Sequence, residues 1–112
     1  MKSQVVFADG KVKKAYDDLK KSKTEDKKLH EWIGRAFDDL KDNAFCGIQV
    51  PKKQIPKEYV RKYGIDNLWK YNLPNAWRLL YSVANNEVLI ISIIIEWLDH
   101  KKYERKFNYK KK

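Results

Sequence analysis

Apolar residues along this chain change their period twice, and each change marks a new kind of element. Residues 4–8 form a short run rich in Val and Phe that Asp9-Gly10 ends, which predicts a first strand and a turn. Val12, Ala15, Tyr16 and Leu19 then recur at three and four residues, so a helix is predicted over residues 11–21, its lysines and aspartates toward water. Ser22-Lys23-Thr24-Glu25 has the form of a capping box. Leu29, Trp32, Ile33, Ala36, Phe37 and Leu40 hold the helical period from there to Asp42-Asn43, predicting a second helix antiparallel to the first.

Residues 45–55, with Gly47 and Pro51 inside and Pro56 following, are expected to be irregular or a short edge strand. Residues 57–63 suit one or two helical turns ended by Gly64. From Leu68 the period is two. Trp69, Tyr71 and Leu73 alternate with Leu68, Lys70 and Asn72, and after Pro74-Asn75 the residues Trp77, Leu79, Tyr81 and Val83 alternate with Ala76, Arg78, Leu80 and Ser82. A turn at 84–87 leads to an apolar strand at 88–95, and residues 96–107 follow as a helical or irregular end.

The order predicts an α+β fold of the form β-α-α-β-β-β, with the helical hairpin packed on one face of a small antiparallel sheet. Under the hairpin we place Trp69, Tyr71, Leu73, Trp77, Leu79, Tyr81, Val83, Leu89, Ile91, Ile93 and Ile95. Lys70, Arg78, Ser82 and Ser92 then fall on a second, basic and partly open face. No repeat or linker divides residues 1–109, which form one expected domain, and residues 110–112 form a basic tail.

Charge sharpens this picture. Residues 1–50 carry 11 basic and 9 acidic groups, whereas residues 51–112 carry 14 and 6. A basic half points to a polyanionic partner, because phosphates neutralised by Lys and Arg release condensed counterions. With 112 residues there is little material for a deep cleft around a large cofactor, and no cofactor is expected. Cys46 has no partner for an internal disulfide, and with His30 and His100 it makes no recognised zinc spacing, so no metal is expected. The N-terminus reaches Asp9 before any long apolar run, and residues 88–95 are too short to span a bilayer. A cytoplasmic protein without a membrane segment is the expectation.

Three features occur in order: Leu-Trp-Lys-Tyr-Asn-Leu-Pro-Asn-Ala-Trp-Arg-Leu-Leu-Tyr at 68–81, an apolar strand, and Trp-Leu-Asp-His-Lys-Lys-Tyr-Glu-Arg-Lys-Phe at 97–107. Together with the element order, they resemble the RelE/ParE toxin superfamily over nearly the whole chain. The resemblance implies the toxin of a type II toxin–antitoxin pair and, for the RelE-like branch, a ribosome-dependent mRNA endoribonuclease that inhibits translation. It implies a cognate antitoxin, mRNA and the ribosome as partners, with a heterotetramer or larger toxin–antitoxin complex as the assembly. A ParE-like inhibitor of DNA gyrase and a non-catalytic RNA- or ribosome-binding protein of the same fold are the alternatives.

Metal-free RNA cleavage needs a base for the 2′-hydroxyl proton, an acid for the leaving 5′-oxygen and fixed cations for the phosphate. Arg78 matches the strand arginine of the nuclease branch, and Lys70 the first basic residue of the preceding strand. Asn72 stands where some members carry a second basic residue. Several members have Arg at the position of His100, and others have His with Tyr following, as His100 and Tyr103 do. Acid and base are left unassigned among these four. Lys52, Lys53, Arg61, Lys62, Lys101 and Lys102 form a basic approach for RNA, and Trp97 is the tryptophan placed for stacking on a base. Purely structural roles compete: Arg78 paired with Glu96 across strands, His100 as a surface residue, and Tyr103 packed on Trp97 or Leu98.

Overall fold

Asp9 closes the first strand and opens the first helix. Its carboxylate accepts from the Val12 amide at 2.9 Å, satisfying one of the donors a helix N-terminus leaves bare. In this computed structural model, which describes residues 1–85 and 89–107, β1 (Gln4–Phe7) leads through that cap into α1 (Gly10–Leu19). The predicted capping box at Ser22 does not form. The Ser22 amide instead closes the end of α1 on the Leu19 carbonyl at 3.4 Å, and α2 (Thr24–Asp42) starts after Lys23 without a side-chain cap. Glu25 and Asp26 still complement the positive end of the α2 dipole.

Both helices turn the predicted residues inward except Ala15, which is exposed. Val12, Leu29, Ile33, Ala36 and Leu40 are buried, and Tyr16, Leu19, Trp32 and Phe37 pack around them. This hairpin covers one face of a five-stranded sheet made of β1, β2 (Ile48–Gln49), β3 (Trp69–Asn72), β4 (Arg78–Asn85) and β5 (Ile90–Leu98), in the order β1-β5-β4-β3-β2. The β3–β4–β5 meander is antiparallel as predicted, and β2 is the short edge strand. β1, however, pairs with β5 in parallel, so the sheet is mixed. The long connection through two helices allows that pairing where a hairpin would not.

The two faces of β5 differ from expectation. Tyr81 stands opposite Ile94 and Val83 opposite Ser92, so Ile90, Ser92 and Ile94 face the hairpin, while Ile93 stands with Ser82 on the far face. Ile95 follows Ile93 to the far face by alternation, and a register shift at Leu80/Tyr81 then sets Glu96 opposite Leu80 on that same face and turns Trp97 beside Leu79 under the hairpin. Residues 90–95 are apolar except for Ser92, so alternation labels neither face. Ser92 is itself buried, sharing a 2.9 Å hydrogen bond with the Ser3 hydroxyl, which donates to the Leu40 carbonyl.

The far face is not an open basic surface either. α3 (Lys57–Tyr63), ended by Gly64 at φ 65°, and α4 (His100–Phe107) cover much of it. Tyr59, Ile65, Leu68, Leu80, Ile95, Leu98 and Phe107 are buried there with Val50 as a second core. The predicted basic tail at 110–112, residues 108–109 and part of the 84–87 turn with Val88 lie outside the described residues.

Tyr81 stitches the segment after α2 to this sheet. Its buried hydroxyl donates to the Ala44 carbonyl at 2.9 Å and accepts from the Gly47 amide at 3.1 Å, and Cys46 between them is exposed. A Cβ at Gly47 would sit 2.6 Å from both the Lys70 carbonyl oxygen and the Tyr81 hydroxyl. Gly47→Ala is therefore expected to cost about 1–3 kcal/mol in chemical denaturation, as overpacking does; an unchanged midpoint would show that the loop does not depend on this contact.

Burial, helped by the hydrogen bond to Asp39, raises the Tyr71 phenol to about 12, and burial raises Tyr81 as well. A phenol whose pKa is higher in the folded chain contributes stability below its unfolded value near 10 and loses it as pH rises. Thermal unfolding midpoints should fall between pH 10 and about 12, and Tyr71→Phe should remove part of that fall.

Candidate active site

Asp99, between β5 and α4, sets the site. Its carboxylate accepts from the Lys102 amide at 2.8 Å and its carbonyl from the Tyr103 amide at 2.8 Å, so the Asp-His-x-x-Tyr motif is a helix cap followed by one turn. His100 and Tyr103 stand three residues apart on that turn, which puts them on neighbouring positions of the helix surface. β4 and β3 bring up the cations from below. Lys70 lies opposite Leu80 in the ladder, and Arg78 lies two residues before Leu80, so both project from the far face that α4 covers.

Tyr103 meets both cations. Lys70 Nζ donates to its hydroxyl at 3.1 Å and sits 5.2 Å from its ring centroid, and the Arg78 guanidinium carbon is 5.2 Å from the same centroid. The ring also stacks on Phe107 at 4.5 Å, not on Trp97. Arg78 spends little of its donor capacity: Nη1 reaches the Trp77 carbonyl only at 3.5 Å, and the buried Nε has no partner among the described residues. A half-buried guanidinium with unused donors, beside an ammonium, is suited to a phosphodiester, which offers two oxygens to the planar fork.

The competing structural role, an Arg78–Glu96 pair, does not form. Arg78 stands opposite Leu98, and Glu96, opposite Leu80, receives the Tyr59 hydroxyl and, at 3.1 Å, the Lys106 ammonium. Among the described residues neither Arg78 nor Lys70 has a carboxylate at ion-pair distance. Burial and the Glu96 carboxylate hold the Tyr59 phenol far above its usual range, so Tyr59 is a fixed donor.

The remaining predicted residues divide. His100 is at the rim, its side chain 57% exposed with Glu104 at 3.6 Å. Lys52, Lys53, Arg61, Lys62, Lys101 and Lys102 are all exposed, on α3, α4 and the turn before α3. Lys62 lies 5.3 Å from the Tyr63 ring centroid. Trp97 is turned to the hairpin face, edge-on to Tyr16, and is not part of the cluster. His30 stacks on Tyr16 at 4.2 Å, away from the site. Sequence reasoning passed over Tyr59 and Lys106, and it included Asp99 in the motif without giving it a role. Asp99 was legible as an Asp just before a helical turn.

Among the described residues no group of three or more His, Cys, Asp or Glu is placed to hold a metal ion, and no helix is long and apolar enough to cross a membrane. No protein-family model, curated protein or solved structure matches the chain. The arrangement defines an α+β domain with a cationic, phenol-capped site on one sheet face.

Arg78→Met replaces the unpartnered Nε with an apolar stem of similar reach. Removing a buried donor without a partner relieves a desolvation cost of about 1–3 kcal/mol, so the variant should unfold at the same midpoint or higher. A clear loss in thermal unfolding would make Arg78 a structural residue instead.

Proposed function

We propose that this protein is the toxin of a type II toxin–antitoxin system, resembling the RelE branch, and that it cuts mRNA on the ribosome. The observation that carries the reading is the Arg78 guanidinium, with no carboxylate partner among the described residues, lying with Lys70 against the Tyr103 phenol. A strand arginine kept from its neighbouring acid and aimed at the same phenol as a lysine has a ready use in holding a phosphate whose charge increases during reaction. The cell keeps such an activity in check with a cognate antitoxin in the cytoplasm, whose acidic segment offsets the basic half of the chain.

In this account the 2′-oxygen attacks the scissile phosphorus, the bond to the 5′-oxygen breaks, and a 2′,3′-cyclic phosphate and a 5′-hydroxyl result. Arg78 and Lys70 stabilise the non-bridging oxygens. Tyr103, hydrogen-bonded to Lys70, and His100, at the rim, are the proton-transfer groups. Exposed lysines and arginines of α3, α4 and the preceding turn hold the RNA backbone.

A second reading, a non-catalytic RNA- or ribosome-binding protein, draws on the exposed position of His100 beside Glu104. Primer extension on a message in a cell-free translation system separates the two. The nuclease reading expects cuts that need ribosomes, fall about a hundredfold or more in Arg78→Ala, as when one preorganised donor is lost, and weaken strongly in His100→Ala. Cuts that survive His100→Ala unchanged would move proton transfer to Tyr103 or a lysine. No cuts from folded protein, with salt-sensitive RNA binding retained, would favour the binder; inhibition of gyrase supercoiling instead would favour the ParE-like alternative.

A further inference from the structure

α4 has eight residues, five of them charged, with a buried Phe107 at its end. Helices this short do not persist in water without tertiary support. Asp99 supports its first turn, and its last turn is held by the burial of Phe107 in the second core and by the polar contacts of one side chain. Lys106 Nζ donates to Glu58 of α3 at 2.7 Å and to Glu96 of β5 at 3.1 Å, and it lies 4.9 Å from the centroid of the Tyr59 ring. Tyr59 donates its hydroxyl to the same Glu96. One ammonium, 22% exposed, thus joins α3, α4 and β5.

Its charge is secure. Burial lowers the Lys106 pKa, but the hydrogen bonds to Glu58 and Glu96 outweigh burial and raise it. Tyr103 precedes Lys106 by three residues and Phe107 by four, so the three share a side of the helix and the Tyr103 ring rests on Phe107. Any tilt of the last turn moves the phenol. The pairing also keeps Glu96 occupied, on the strand next to Arg78.

We infer that Lys106, held between Glu58 and Glu96, is a positioning residue that seats α4 so that the Tyr103 phenol lies across Arg78 and Lys70. Its effect on cleavage rests on the nuclease reading; its effect on α4 does not. Lys106→Met keeps the stem and removes the charge, and Lys106→Arg restores the charge with a fork able to reach both carboxylates.

Two measurements on the full chain test this. In hydrogen exchange, Lys106→Met should speed the amides of residues 103–107 by about tenfold or more while those of α2 and β4 keep their protection, and Lys106→Arg should restore the slow rates. In single-turnover cleavage of ribosome-bound message, Lys106→Met should slow the reaction about tenfold or more, as a misplaced group does. In a Tyr103→Phe background the same change should add little, because the hydroxyl it positions is already gone. Unchanged α4 exchange in Lys106→Met overturns the inference, and so does a full additive loss in the double variant. A wild-type chain that cuts nothing overturns the nuclease reading alone, and the exchange result still decides the role of Lys106. Should Lys106→Met fail to fold, Glu58→Gln, on an exposed acid, should give a smaller loosening confined to α4, and exchange identical to wild type would then overturn the inference.

Discussion

Strand β4 is buried on both faces, and the rest of the molecule is arranged around that constraint. Leu79, Tyr81 and Val83 enter the core beneath α1 and α2, while Leu80 enters a separate core beneath α3 and α4. A strand in this situation has no freedom to slip, because a shift of one residue would exchange its two apolar sets and every neighbour they touch. Arg78 is the first residue of that strand. Its backbone position is therefore as well determined as that of the core, although its side chain stands at the core's margin.

Electrostatics at the margin follows from who partners whom. Glu96 is the acid nearest to Arg78 in the strand alternation, but the register shift places it opposite Leu80, where Tyr59 and Lys106 take its oxygens. The basic excess of the second half of the chain is thus not cancelled inside the fold at this spot. Among the described residues Lys70 and Arg78 share the face of one phenol with no acid between them, an arrangement with little stabilising value for the protein itself. Under the proposed function, folding and function pull apart there.

The helical hairpin was legible because its apolar residues keep one period for three turns and its polar residues mark the other side. The β3–β4 pair was legible for the same reason with period two. β5 was not: between residues 90 and 95 only Ser92 is polar, and that serine is buried against Ser3, so the one available marker pointed to the wrong face. The second core escaped notice because its pieces are short. Tyr59, Ile65, Leu68 and Phe107 sit in segments of a few residues whose burial depends on one another and on no local period. The assignment of Trp97 to the site failed at the register shift, which keeps Glu96 on the far face after Ile95 and so carries Trp97 inward. Arg78, Lys70 and Tyr103 do meet, but the basis for naming them was resemblance and charge, and the contacts of α3 with Lys106, on the same helix as Tyr103, are marked by no motif.

The central claim is that this cationic, phenol-capped face supports attack by a 2′-oxygen on the RNA backbone. The chemistry of the ends left on a message cut in a translating extract tests it most directly. The account predicts a 2′,3′-cyclic phosphate, or the 2′- or 3′-phosphate it hydrolyses to, upstream of the cut and a 5′-hydroxyl downstream. Fragments ending in a 3′-hydroxyl with a 5′-phosphate on the other side would contradict it, because water, not the neighbouring ribose, would then have been the nucleophile.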